Sequence, residues 1–330
     1  MYVIGYLHGD KCKIIFQNGD HFEGAMHHGR FHCDSGYLKY RKNLGSFTGS
    51  FQMGRKDGIG TRVYIDGQTY IGGWKANKLN GYGEMHYRKN SLRRYSANCH
   101  SYVGEWQSGM YHGQGELTFN DDSKFAKYEG YFRANLFDGK GVLHFRDGGS
   151  YDGTFLQGRK HGEGKRIWAS GNIFQGSWID DMMHKGTLVS KTHCSIYVGS
   201  FSKDRKHGNG KEIWRSPDNK AFRDPCFNWL HKADGLCNYV GGYENGYFHG
   251  EGLFQASDGR MYKGEFVKGE PHGYGEAILL KVEEHGDATK MHIGSSGSLY
   301  RVWKFVGEWV HGKRSSGKSY FLDGSIRDTF

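Results

Sequence analysis

The chain has 330 residues, 45 of them basic and 35 acidic, for a formal net charge of +10 at pH 7. Glycine supplies 53 residues and proline only 3, while aromatics reach 15% within a hydrophobic share of 36%. This mixture excludes a collagen triple helix, which needs abundant proline and a strict three-residue glycine period, and a disordered chain, which is poor in aromatics. No run of about 20 apolar residues is present to span a bilayer as a helix. The stretch Met1–His8 lacks the basic start and apolar core of a secretory signal. Glycine inside a helix costs about 1 kcal/mol relative to alanine, so frequent glycine with many aromatics and little proline predicts short strands and tight turns. The cysteines, Cys12, Cys33, Cys99, Cys194, Cys226 and Cys237, are sparse and irregularly spaced. That suits free thiols in a reducing compartment better than a disulfide framework.

Taken in chain order, residues 1–21 read as a degenerate unit or cap, because Phe16-Gln17-Asn18-Gly19 matches the end of the units that follow. A phrase then recurs, opening at Phe22, Phe47, Tyr70, Tyr102, Tyr128, Tyr151, Phe174, Tyr197, Tyr239, Tyr262 and Phe305. The openings from Tyr128 to Tyr197 fall 23 residues apart. With the opening aromatic as position 1, glycine holds position 3 in every copy and an aromatic holds position 5 in all but one, where Met26 stands. Position 8 is Gly, Asn or Asp, the residue types that tolerate positive φ, so it reads as a left-handed turn residue. Phrases such as His112-Gly113-Gln114-Gly115 and His161-Gly162-Glu163-Gly164 fill positions 11–14, and an aromatic such as Tyr64, Phe145 or Trp168 closes most copies at position 18. The alternation over positions 1–6 has a period of two. Each copy is therefore predicted to be a β-hairpin, with positions 7–11 as its turn and a second strand after it. One hairpin is marginal in water, so the hairpins are expected to stack. The rings at positions 1 and 5 would form the core, and Gly at position 3 would leave room for a neighbouring ring or backbone.

These phrases resemble membrane occupation and recognition nexus (MORN) repeats, from Phe22 to about Gly324. The resemblance implies an all-β protein: an elongated, single-domain antiparallel meander of MORN hairpins, with residues 1–21 as an N-terminal cap and 22–330 as the array. Some copies depart from the pattern. The first has His32-Cys33-Asp34-Ser35-Gly36, and His184-Lys185-Gly186 and Ser315-Ser316-Gly317 each run one residue short. The intervals Tyr70–Tyr102, Tyr197–Tyr239 and Tyr262–Phe305 are longer than the rest, so insertions fall at 88–101, 215–238 and 281–304, each after a second strand. A uniform stack gains specificity from what interrupts it, and exposed aromatics and arginines are favoured at interaction hot spots. Arg93, Arg94 and Tyr95, Phe227 and Trp229, and Tyr300 and Trp303 are therefore the expected partner-binding residues.

Other chemistry is weaker. Gly312–Ser319 fits a phosphate-binding loop pattern, but such a loop needs a preceding strand and a following helix, and here the pattern falls in a hairpin. Cys226, His231 and Cys237 offer three ligands where structural zinc needs four, so no metal is expected. His112, His161, His207, His249 and His272 recur once per copy at position 11, which points to a turn role. No catalytic residue and no cofactor are predicted, and the repeats leave no stretch of this chain for an appended catalytic domain. The cations at positions 9 and 10, namely Arg55 and Lys56, Arg159 and Lys160, Arg205 and Lys206, and Lys313 and Arg314, predict a basic turn edge. That edge suits acidic protein segments or anionic lipid head groups.

What the resemblance implies about function is a non-enzymatic scaffold that binds other proteins of a large cytoskeletal assembly. Repeat-only members are similar to radial-spoke-head and other ciliary components and to basal scaffolds of protists. The expected location is cytoplasmic, in the cytoskeleton of a cilium or flagellum axoneme, with a homodimer through terminal repeats. Two alternatives are a membrane-apposed scaffold binding anionic phospholipid through the basic edge and a regulatory subunit of an enzyme. Nucleic acid is disfavoured, since no recognised nucleic-acid module is visible.

Overall fold

A computed structural model describes residues 8–88, 99–216, 235–257, 259–278, 302–321 and 324–330. It contains two compact units, Met1–Ala169 and Ser170–Phe330. Within each unit the chain is an antiparallel meander of hairpins, as the period-two pattern predicts. The described exception to strand and turn is one short 3-10 turn at Arg41–Asn43.

The hairpin ends are tighter than expected. Position 8 has φ between 58 and 96° in every copy, Asn77, Asn135, Asp181 and Asp204 included. Position 7 is left-handed as well, with φ between 47 and 53° at residues as varied as His28, Met53, Ala76, Gln157 and Lys203. Two successive left-handed residues make a type I′ turn, whose twist matches that of the flanking strands. The turn is thus positions 7 and 8 alone, not 7–11. Leu156 pairs with Arg159 across Gln157 and Gly158, so position 9 already belongs to the second strand.

The registers then explain the His-Gly-x-Gly phrase. Phe155 pairs with Lys160 and Gly153 with Gly164, so Thr154 at position 4 faces His161, Gly162 and Glu163 across a bulge. The first glycine of the phrase takes the left-handed conformation that such a bulge requires, as at Gly113, Gly162, Gly208, Gly250 and Gly273. The second lies beneath a ring. In the Phe174 and Phe305 hairpins Gly176 pairs with Gly186 and Gly307 with Gly317, so the bulge is one residue shorter, as their sequences suggest.

Position-3 and position-14 glycines pair with each other within a hairpin and again with those of the next. A stripe of glycine therefore crosses the strands, from Gly36 through Gly49, Gly60, Gly72 and Gly83 to Gly104 in the first unit. In the second unit Gly176, Gly186, Gly199, Gly210 and Gly241 continue the same way. The occupant of this stripe is the copy's own position-1 ring, and not only a neighbour's. A Cβ on Gly153 would lie 2.6 Å from Tyr151 Oη and 2.6 Å from Gly164 Cα. Laid along the stripe, each position-1 tyrosine donates its hydroxyl to the position-4 carbonyl of its own strand, at 2.8–3.1 Å for Tyr70, Tyr102, Tyr128, Tyr151, Tyr197, Tyr239 and Tyr262. Burial therefore leaves no phenol unsatisfied.

Position-5 rings complete the core. Each stands edge-on to the position-1 ring of its own copy, at 5.0–5.4 Å between centroids, as in Tyr151–Phe155 and Tyr70–Trp74. Within each unit it also stands edge-on to that of the preceding copy, as in Phe47–Trp74 at 5.2 Å and Tyr239–Phe266 at 5.2 Å. Such pairs contribute about 0.5–1.5 kcal/mol each beyond burial. Where position 5 is Trp, the indole N–H donates to the position-14 carbonyl of the preceding copy: Trp74 to Gly60 at 3.1 Å and Trp106 to Gly83 at 3.2 Å.

The turns interlock too. The position-8 N–H donates to the position-10 carbonyl of the preceding hairpin, as in Gly109 to Leu79 and Gly158 to Phe137 at 2.8 Å each. Where position 8 is Asn or Asp, its side chain returns the contact by accepting the position-10 N–H, as Asn77 does from Lys56 at 2.9 Å and Asp204 from Met183 at 2.8 Å.

Candidate interaction surface

The cations expected to form one edge divide into two populations. Strand geometry alternates side chains between faces, and the turn ends at position 8. Position 9 therefore points away from the core and position 10 toward it. Arg55, Arg159, Arg205 and Lys313 at position 9 are exposed. Arg30 and Lys78, with the apolar tips Met110 and Leu136, occupy position 9 of the other first-unit hairpins and are exposed as well. Because successive turns are hydrogen-bonded to each other, these side chains form a rim along the turn end of each unit.

Position 10 is a ring-stacking slot. Phe31, Tyr111, Phe137 and Phe248 lie flat on the position-1 ring of their own copy, with centroids 3.6–3.9 Å apart. Where the slot holds a cation, the charge lies over the same ring: Lys160 over Tyr151 at 5.8 Å, Lys206 over Tyr197 at 5.2 Å and Arg314 over Phe305 at 5.7 Å. Lys56 is the most enclosed, within 5.0–5.4 Å of Tyr40, Phe47 and Trp74. Burial, helped by the nearby Arg62 charge, pushes its ammonium down to about 8. Lys56, Lys160 and Lys206 of the expected basic edge therefore lie half-buried against core rings by cation–π contact, while Arg314 stays exposed.

A further set of charged residues escaped the sequence reading. Position 16 pairs across the hairpin with position 1 and is apolar in most copies, as at Met85, Leu117 and Leu143. In three copies it is Arg62, Arg166 or Glu212. Arg62 stacks on Tyr40 at 3.8 Å and Arg166 on Phe145 at 3.6 Å. Burial lowers the Arg166 pKa. Glu212 is paired with Lys206 Nζ and accepts a 3.2 Å hydrogen bond from the Tyr243 hydroxyl. A charge at an otherwise apolar register position was the available signal.

Of the insertion residues, Arg93, Arg94, Tyr95, Phe227, Trp229 and Tyr300 lie outside the described residues. Trp303 falls in the strand Val302–Val310, and its side chain lies outside the described part. Strand pairing reaches into the second insertion, where Arg215 pairs with Leu236 and Ser216 with Gly235, so the inserted segment is shorter than 215–238. Cys237 is a buried strand residue opposite Trp214, while Cys226 and His231 lie outside the described residues. The Gly312–Ser319 pattern is a hairpin: Gly312 is a turn residue with φ 72°, and Lys313–Phe321 is a strand.

This geometry defines a hairpin-repeat protein whose recurring rings are structural and whose exposed rim varies from copy to copy. The sequence profile of the MORN repeat family matches residues 47–69, 70–92, 102–124, 128–150, 151–173, 197–216, 239–259, 262–277 and 305–325, more than half of the chain. The chain belongs to the MORN repeat family, whose repeats serve as scaffolds for protein or membrane binding. The Phe22 and Phe174 hairpins fall outside those segments. The Phe174 hairpin keeps the glycine pair and the edge-on Phe174–Trp178 contact at 5.1 Å. In the Phe22 hairpin the second strand is interrupted at His32. The chain is 30% identical to Alsin from Rattus norvegicus over 193 residues, which are 58% of this chain and 8% of that protein. It thus spans less than a tenth of that relative's length. The TCP10 domain of Danio rerio CPAP, solved with a peptide of Danio rerio STIL, aligns over 78% of this chain and 97% of that one at 9% identity. Its TM-score of 0.29 is too low to establish a shared fold.

Proposed function

We propose that this protein is a non-enzymatic scaffold that holds other proteins in a cytoskeletal assembly, in the cytoplasm and specifically at a ciliary or flagellar axoneme. The observation that carries the reading is the position-9 rim. Most of its core-side neighbours at position 10 lie against the position-1 rings, whereas the side chains of Arg55, Arg159, Arg205 and Lys313 are exposed. Exposed cations interleaved with Met110, Leu136, Met182 and Tyr247, each 40–48% exposed, suit acidic protein segments that also carry apolar side chains. The resemblance to repeat-only ciliary and protist scaffolds supports the cellular setting. The insertion residues Arg93, Arg94, Tyr95, Phe227, Trp229, Tyr300 and Trp303 are the proposed source of partner specificity, and the terminal repeats of a homodimer.

Tagging the chain in its source cell and purifying it with its partners tests this reading. Enrichment of axonemal or other cytoskeletal proteins is expected, and a variant with Arg55, Arg159 and Arg205 changed to Glu should lose them while keeping its melting temperature. The same rim favours a second reading, in which its charge meets anionic phospholipid. Salt-sensitive binding to phosphatidylserine vesicles, with no protein co-purifying, would replace the first reading by that one.

A further inference from the structure

The outer face of the sheet, opposite the rings, differs between the two units. Position 2 of each first strand and position 15 of each second strand point outward, since they alternate with the core positions 1 and 16. Cross-strand pairing joins them into a row within each unit. In the first unit the row runs Ile71, Glu84, Val103, Glu116 and Glu129 on successive strands. In the second it runs Val198, Lys211, Val240, Leu253 and Lys263. Every charge in the first stretch is acidic, and every charge in the second is basic. Ile71, Val198 and Val240 are 46–51% exposed, apolar side chains that the hairpins themselves leave uncovered. Glu84 gives Oε1 to His86 Nε2 at 2.6 Å, which leaves Oε2 for another cation. Lys211 and Lys263 take part in no ion pair among the described residues.

We propose that the outer face of the second unit docks onto the outer face of the first unit of another copy of this chain, with Lys211 against Glu84 and with Val198 and Val240 against Ile71 and Val103. Strands lie about 4.8 Å apart in both rows, so an apolar, a charged and an apolar residue on three successive strands recur at one spacing in each unit. Two sheets pack face to face about 10 Å apart with their strands within about 30°, close enough for such rows to interdigitate. Turning one face over about the row sets Ile71 over Val198, Glu84 over Lys211, Val103 over Val240 and Glu129 over Lys263. The same turn carries Tyr82, two residues before Glu84 and 67% exposed, over Ile213, two residues after Lys211. Glu116 falls over Leu253 without a cation, but it already holds Lys127 at 2.9 Å. A second-unit face laid on another second-unit face would gather lysines with no carboxylate in the row, so acid against base selects the first unit instead. A contact of five strands is at the small end of specific interfaces, and association should be reversible. It uses faces, so it is separate from the terminal edges proposed above for a homodimer, and it does not rest on the partner-binding reading.

Sedimentation velocity of the full chain from about 1 to about 200 µM tests this. A concentration-dependent shift from monomer to a larger species is expected, weakening as salt is raised. Lys211→Glu and Glu84→Lys should each weaken it at least about tenfold, with little change in melting temperature because both side chains lie on the outer face. Mixing the two variants should restore association, since each then meets in the other copy the charge that it lacks, and so should both substitutions in one chain. Val198→Thr, which keeps a branched side chain in the strand, should weaken it too. Association of wild-type strength in both single variants overturns the proposal and leaves any self-association to the terminal edges. A chain that stays monomeric over the whole range overturns it as well, as does a mixture that associates no better than either variant alone.

Discussion

Lys56 in the first unit and Lys206 in the second occupy the same repeat position over the same pair of rings, yet their electrostatic settings are opposite. Lys56 lies over Phe47 and Trp74, and Lys206 over Tyr197 and Tyr243. The difference comes from position 16, six residues further along each second strand. There Arg62 adds a like charge near Lys56, whereas Glu212 gives Lys206 a carboxylate. Two hairpins with one backbone therefore store charge differently: one holds an ammonium by ring faces alone, and the other buries a paired ion whose second oxygen Tyr243 satisfies. The slot itself is indifferent to charge, since Phe31, Tyr111, Phe137 and Phe248 fill it elsewhere. The slot accepts rings, lysines and aliphatic groups such as Leu79 against the position-1 ring.

The largest way to break this comparison is to remove the carboxylate. Glu212→Ala should leave Lys206 partly buried without its partner and cost about 4 kcal/mol, read as a lower urea midpoint, while Lys206→Met with Glu212→Leu should recover most of it. A change under 1 kcal/mol for Glu212→Ala would mean that the pair is not formed. Next in size is the frame that both lysines share. A Cβ on Gly60 would overlap the Phe47 ring, and one on Gly210 the Tyr197 ring. Gly60→Val and Gly210→Val should each cost about 3 kcal/mol, equally despite the different charges above them. Unequal losses would show that the lysine, not the ring, sets the local packing.

A smaller effect separates the two rings. Tyr197 donates its hydroxyl to Ser200 O at 3.0 Å, and Phe47 has no such bond. Tyr197→Phe should make the second slot like the first at a cost of about 1 kcal/mol, measured by thermal unfolding. The last test uses pH. Lys56 falls from its ordinary 10.5 to about 8 in the folded chain. Between those values the unfolded chain binds the extra proton, so this residue makes stability rise with pH from about 8 toward 10. Lys56→Met should flatten that rise and stay within about 1 kcal/mol of wild type at pH 7. The buried position-1 tyrosines, raised chiefly by burial, act in the other direction above about pH 10 by resisting ionisation, which bounds the window. A urea midpoint that falls between pH 8 and 10 in the wild type would contradict the caged ammonium.

Much of this was legible in the residues themselves. Period-two alternation of rings around Gly153 and its equivalents determined hairpins, and Gly, Asn or Asp at position 8 determined where each one turns, because few other residues enter the left-handed region cheaply. The shortened bulges at His184-Lys185-Gly186 and Ser315-Ser316-Gly317 could be counted directly. Position 7 could not be read: His28, Met53 and Lys203 carry no left-handed preference, and the hairpin's twist imposes that conformation on them. Nor could the sequence show that Lys56 faces inward while Arg55 faces out. That depends on the strand resuming one residue after the left-handed pair, a register fixed by the two-residue turn. The gathering of Glu212 beside Lys206 and Tyr243 was likewise decided by pairing between strands. Local propensity sets which face a side chain takes, but cross-strand register sets what it meets there.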